Sequence, residues 1–210
     1  MKKIFLLGLL TCLAASCTMQ SNDPYQLKIK AERFSKDSFL KSSNQSPMDT
    51  KEKRELMALD YFEPDSNYKI AAKLDVFEVP KSFMMSVTNT TPEEYYKIGN
   101  ILFRYKGKPY ALAVFQNAKY VKDPAAANEL FCPFTDGTTG KETYKSGRFL
   151  DLYRTPGSKD IEIDFNKAYN PYCAYNHEYS CPIPPDENHL DFKVEAGEKT
   201  FKQGRFSMFK

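Results

Sequence analysis

The side chains able to do chemistry gather in three stretches. Residues 135–152, TDGTTGKETYKSGRFLDL, set two glycines and three threonines around Asp136 and follow them with Lys141, Glu142, Tyr144 and Arg148. Tight turns of that composition expose backbone N–H groups beside a carboxylate, and the guanidinium of Arg148 offers a planar fork for an anion. Residues 164–175, DFNKAYNPYCAY, add Asp164, Asn166, Tyr169 and Asn170, and residues 181–190, CPIPPDENHL, add Glu187, Asn188 and His189. If these groups converge, they bind a small polar or anionic ligand. If they pair with one another and with turn amides, they hold long loops in place. A third chemistry is acid and base work by Asp136 and Glu142, but no Ser or Cys nucleophile with a positioned His accompanies them. There is no Walker or dinucleotide glycine pattern, and no cofactor is expected.

The five cysteines carry separate information. The opening segment, MKKIFLLGLLTCLAASC, places two lysines before an apolar run from Ile4 to Ala15 and small residues before Cys17. That is a secretory leader, and its apolar run is too short for a spanning helix of about 20 residues. Ala14-Ala15-Ser16-Cys17 reads as a lipoprotein signal, with residues 1–16 removed and Cys17 carrying acyl chains such as palmitate. Cys12 falls inside the leader. Cys173 and Cys181 flank seven residues and form the natural disulfide pair in an oxidising envelope. Cys132, in LFCPF, reads as a buried small hydrophobe. The spacing of Cys173, His177, Cys181 and His189 leaves zinc as an alternative, looser than paired CxxC motifs, and no metal is the expectation.

Strands and turns must position these groups. Thirty aromatics, 16 Phe and 14 Tyr with no Trp, together with 13 Pro and 9 Gly, favour pleated, half-buried surfaces over a helical bundle. Tyr68, Ile70, Ala72, Leu74 and Val76 alternate with mostly polar neighbours. Further strand candidates cover residues 82–88, 95–105, 109–116, 129–134, 148–153, 161–165 and 190–194. Lys106-Gly107-Lys108 predicts one hairpin and Pro156-Gly157-Ser158 another. Residues 24–40 read as a helix. A second starts at Asp49, whose capping box is completed by Glu52, turns Leu56, Met57 and Leu59 inward, and ends near Tyr61 before Pro64. Residues 167–189, with Pro171, Pro182, Pro184 and Pro185, form an ordered loop, because a structureless one of that length is uncommon in a compact domain. The fold class is mainly β, an antiparallel sandwich or partly closed barrel with one or two N-terminal helices.

Of 210 residues, 41% are hydrophobic and 27% charged, which excludes a disordered tail and a multi-pass membrane protein. Without residues 1–16, 194 residues remain, enough for one domain over 24–210 with a helical start at 24–62, behind a tether at 17–23. The formal charge of +3 falls to +1 without Lys2 and Lys3, so nothing points to nucleic acid. The expected protein is a lipoprotein of the bacterial cell envelope, held to a membrane through its lipid, on the outer membrane or the periplasmic face rather than in the cytoplasm. Its expected role is binding or structural, with hydrolysis of envelope glycans or small esters as the alternative.

SPM at Ser46, LDYFEPD from Leu59, GNILF from Gly99, TTGKETY, DFNKAYNP, CPIPPDEN and VEAGEK from Val194 occur in order over most of the chain. Together they resemble the bacterial and archaeal domain of unknown function 1684 family. Longer members carry a tryptophan-rich region before SP, where this chain has only ERFSKDSFLKSSNQ and no Trp. The resemblance implies a strand-rich domain and no particular activity.

Overall fold

The computed structural model describes residues 23–201; the leader, Cys17 and the tether through Asn22 lie outside them. Helix α1 (Pro24–Ser42) starts where Pro24 enters the first turn and the Asp23 carboxylate accepts from the Tyr25 N–H at 3.0 Å. It buries Ile29 and Leu40 but leaves Phe34 73% exposed, so it lies over the domain instead of running through it. Helix α2 (Thr50–Glu55) has the full capping box of Asp49 and Glu52. It is shorter than the sequence suggests. The chain turns extended at Leu56, which sends Leu56 and Leu59 into a small core with Leu40, Met48 and Tyr175 and leaves Met57 78% exposed.

Six antiparallel strands follow: β1 (Lys69–Met85), β2 (Glu93–Tyr105), β3 (Lys108–Asn117), β4 (Glu129–Phe134), β5 (Arg148–Tyr153) and β6 (Asp160–Asp164). Their order is β5-β4-β3-β2-β1-β6, in one sheet curled into a half-barrel. Ile70, Ala72 and Leu74 point inward, joined by Ile101, Leu112, Val114, Leu130, Cys132, Phe134, Leu150, Ile163 and Phe165. The alternation stops before Val76, which is exposed. The register shifts between Val76 and Lys81, and the expected strand at 82–88 is the far end of β1. Lys106 and Gly107, both at positive φ, close the β2–β3 hairpin.

Two expectations fail here for physical reasons. The turn at Pro156-Gly157-Ser158 does not make a hairpin. It carries the chain between β5 and β6, which stand at opposite edges of the sheet, across the open side of the half-barrel. Residues 190–194 form no strand because scattered contacts, not a continuous ladder, take up their backbone groups: the Leu190 N–H donates to the Thr135 carbonyl, the Gly137 N–H donates to the Phe192 carbonyl, and side chains take those of Val194. Asp136 accepts from the Val194 N–H at 2.7 Å, and Arg148 donates to the Val194 carbonyl at 2.9 Å. Among the described residues no helix is long and apolar enough to cross a membrane.

Candidate functional site

The polar residues singled out from the sequence do not converge on one spot. Arg148 is fully enclosed, with 0% exposure, and packs over the Phe134 ring. Gly147, at φ +89°, leads into it, in a place where a Cβ would sit 2.6 Å from the Phe134 carbonyl oxygen. The guanidinium donates to the carbonyls of Val194, Ala196 and Glu198 and pairs with Asp136 at 3.3 Å. Asp136 also accepts from the Thr138 N–H and hydroxyl and from Thr139. Neither can receive a ligand. Burial draws the Arg148 pKa down, and the adjacent Asp136 charge opposes it.

The other members fasten different corners. Glu142 pairs with Lys193 at 2.8 Å on the surface, and that contact holds its carboxyl below the usual range; Lys141 beside it is exposed. Tyr144 donates to the Cys173 carbonyl at 3.4 Å. Asp164 accepts from the Tyr25 hydroxyl at 2.8 Å, and Asn166 donates to that hydroxyl and to the Asp65 carbonyl, which docks α1. Asn170 donates to Glu198, a buried carboxylate that also takes the Tyr175 hydroxyl and, at 2.6 Å, Lys36 of α1. Glu187 pairs with Lys97. The Asn188 amide donates to the carbonyls of Ala113 and Pro133, and its oxygen accepts from the Ala113 N–H. With Asp136 sealed and Glu142 paired at the surface, the pair considered for acid and base work shares no site.

The space that can hold a ligand lies elsewhere. A cleft of about 820 Å³ opens between α1, the outer face of β4 and β5, and the proline-rich loop. Rings line it: Phe39, Tyr61, Tyr95, Phe131, Phe149 and Tyr169 among them. The local cause is period two in β5, where Leu150 and Leu152 point into the core and Phe149, Asp151 and Tyr153 point out. Tyr169 is fixed across the edge of β5 by two backbone hydrogen bonds with Phe149, and its hydroxyl donates to Asp151 at 2.9 Å. Asp151 is open to solvent along the cleft, yet protein surrounds its other sides. Desolvation raises its pKa, against the Tyr169 hydrogen bond and Lys36, with Glu129 adding to the rise. Of the expected residues, Asn166, Tyr169 and Cys181 line this cleft; Asp151 and Lys36, which also line it, and Glu198, which holds Lys36, were not anticipated. The signal for Asp151 was a single carboxylate between two aromatics on the outward face of RFLDLY.

The loop wall contains the cysteines. The disulfide expected between Cys173 and Cys181 is not formed, and all three described cysteines are free thiols. The pair is nevertheless in contact, with the Cys173 N–H 3.1 Å from the Cys181 sulfur, and a hydrogen bond from Cys181 draws the Cys173 thiol pKa down. Cys132 is a buried hydrophobe whose thiol burial pushes up to about 12. His189 contacts Thr135 at 2.9 Å, and His177 is exposed. Among the described residues no three His, Cys, Asp or Glu side chains are grouped to hold a metal.

Residues 54–199 match the family described as protein of unknown function DUF1684. The solution NMR structure of an uncharacterized protein of Haloarcula marismortui is similar at 34% identity, over 84% of this chain and 94% of that one, with a TM-score of 0.65. No curated protein matches the sequence significantly.

Proposed function

The chain belongs to the DUF1684 family, and from that premise we propose that it is a binding module of the bacterial envelope whose site is the aromatic cleft under α1. One observation carries this reading: a cleft of about 820 Å³ walled by rings, within the usual range for small-molecule sites. The walls are fastened to one another by the protein's own contacts, so the space is preformed. Glu198 with Lys36 fixes α1, and the Tyr169–Phe149 bridge fixes the loop. The test is amide shift mapping of the full chain with benzyl alcohol, a neutral aromatic probe. Shifts confined to Phe39, Phe131, Phe149, Tyr169 and their neighbours support the reading; shifts scattered over the surface, or none, overturn it.

Anchoring through Cys17 is part of the same proposal and rests on the lipoprotein-type leader. Five residues separate Cys17 from Asp23, a reach of roughly 21 Å at most over the six steps between them. The cleft then works beside a bilayer. In an oxidising envelope Cys173 and Cys181 lose two protons and two electrons to the compartment's disulfide oxidants and close the loop, adding about 2–3 kcal/mol in the chain-entropy account. Mass spectrometry of non-reduced peptides from protein purified out of that compartment should find Cys173 linked to Cys181. Recovery of both as thiols would remove this part of the reading. The hydrolase alternative finds no support in the positions of Asp136 and Glu142.

A further inference from the structure

Two neighbouring carboxylates of the sheet wall stand among rings with no cation in ion-pair contact. Across the β4–β5 pairing Phe131 faces Asp151 and Glu129 faces Tyr153, all on the outer face. A recess of about 330 Å³ opens beside the cleft, shares Tyr95, Tyr120, Phe131 and Asp151 with it, and adds Glu129 and Tyr153. The hydroxyl of Tyr169 is the polar partner of Asp151, and neither Asp151 nor Glu129 takes part in an ion pair among the described residues. The opposite wall differs. There Lys36 is held by Glu198 at 2.6 Å, Lys167 pairs with Glu32 at 3.0 Å, and Arg33 donates to the carbonyls of Phe62 and Asn166. The charge left without an ion-pair partner on the sheet wall is therefore negative, and it lies among aromatic faces.

We propose that the junction of cleft and recess binds an organic cation, an ammonium or quaternary amine, between the rings of Tyr95, Phe131 and Tyr169 and the carboxylates of Asp151 and Glu129. The assignment rests on the cleft being a ligand site and names the class of ligand. Aromatic faces attract cations through their quadrupole, most strongly for weakly hydrated ones. The protein already uses this contact once: the Lys36 ammonium lies 5.1 Å from the centre of the Tyr169 ring. An inorganic divalent ion would instead need several oxygen ligands, and no group of three candidate ligands exists among the described residues. The charge of a bound cation also offsets the cost of desolvating Asp151.

The test measures affinities of the full chain for benzyltrimethylammonium, benzyl alcohol and benzoate at one ionic strength. The cation should bind about tenfold more tightly than the alcohol, and benzoate most weakly. In Asp151→Asn, which keeps an acceptor for Tyr169, the ratio of cation to alcohol affinity should fall close to one. Glu129→Gln, an exposed change, should reduce that ratio about two- to fivefold. Lowering the pH through the raised Asp151 pKa should have the same effect as Asp151→Asn. Of the charges facing that carboxyl, Glu129 raises the pKa while Lys36 and the Tyr169 hydroxyl lower it. Equal affinity for cation and alcohol in the wild type overturns the inference and leaves the cleft reading standing; no binding of any probe overturns both. Competition by phosphatidylcholine vesicles identifies a lipid headgroup as the source, and competition by soluble choline alone a free amine; either keeps the assignment.

Discussion

Enclosed on all sides, the Arg148 guanidinium acts only on its neighbours: the carbonyls of Val194, Ala196 and Glu198 and the carboxylate of Asp136. It is the post on which residues 194–198 are hung. Arg148→Ala should cost about 3–5 kcal/mol, because it leaves Asp136 buried and unpaired. Chemical denaturation measures this, and a loss under about 1 kcal/mol would contradict the role. A double variant that also replaces Asp136 with Asn should lose less than the two single changes together, since neither member of the pair is then left as a stranded charge. At this scale the sequence was half legible. TDGTTGKETYKSGR drew attention to Asp136 and Arg148 because glycines, threonines and charges are dense there. Asp151 escaped because it occupies the polar position of an alternating strand, where a carboxylate is unremarked. What separates the two is burial and partners, and neither is written in local sequence.

Among the elements, β3 and β4 make the weakest join in the sheet, paired at Phe115 and Phe131 alone. Asn188 repairs the seam. From a short turn of the proline-rich loop, Asp186–Asn188, its amide reaches the Ala113 N–H and carbonyl on β3 and the Pro133 carbonyl on β4, standing in for a missing stretch of ladder. Asn188→Ala should therefore cost about 3 kcal/mol or more by leaving buried backbone groups without partners. Hydrogen exchange should show the loss as faster exchange at Ala113, with the β2–β3 hairpin near Gly107 little changed. Uniform acceleration across the sheet would instead mean that Asn188 acts on global stability alone. This seam explains what could be read in advance about the elements. The bounds of β4 and β5 agree with the sequence pattern, because turn residues flank short apolar runs there. Residues 190–194 looked like a strand because extended backbone and apolar side chains are common to strands and to segments pinned by scattered backbone and side-chain contacts. The place of β6 beside β1, at the far edge from β5, depends on the curl of the sheet, which no local pattern records.

For the whole molecule, the half-barrel supplies a rigid outer face, and α1 and the loop cover it without filling the space beneath. That cover is fastened by polar contacts at its edges: Tyr25 to Asp164, Arg33 to the carbonyls of Phe62 and Asn166, and Lys36 to Glu198. A helix so held leaves an apolar interior beneath it, whereas one packed by a broad apolar stripe would close it. The same helix begins at Pro24, seven positions after Cys17. An acyl anchor at Cys17 would hold the Tyr25 and Asp164 corner nearest the bilayer, with the cleft further along a helix of roughly 28 Å. On the proposed anchoring the hold comes from the acyl chains, of which more than one is needed for lasting attachment. Cys17→Ser removes the acceptor sulfur and should move the protein into the soluble envelope fraction, with its melting temperature and benzyl alcohol shifts unaltered, because Cys17 lies outside the described domain. Retention at the wild-type level through high-salt washing would show that the lipid is not what holds it.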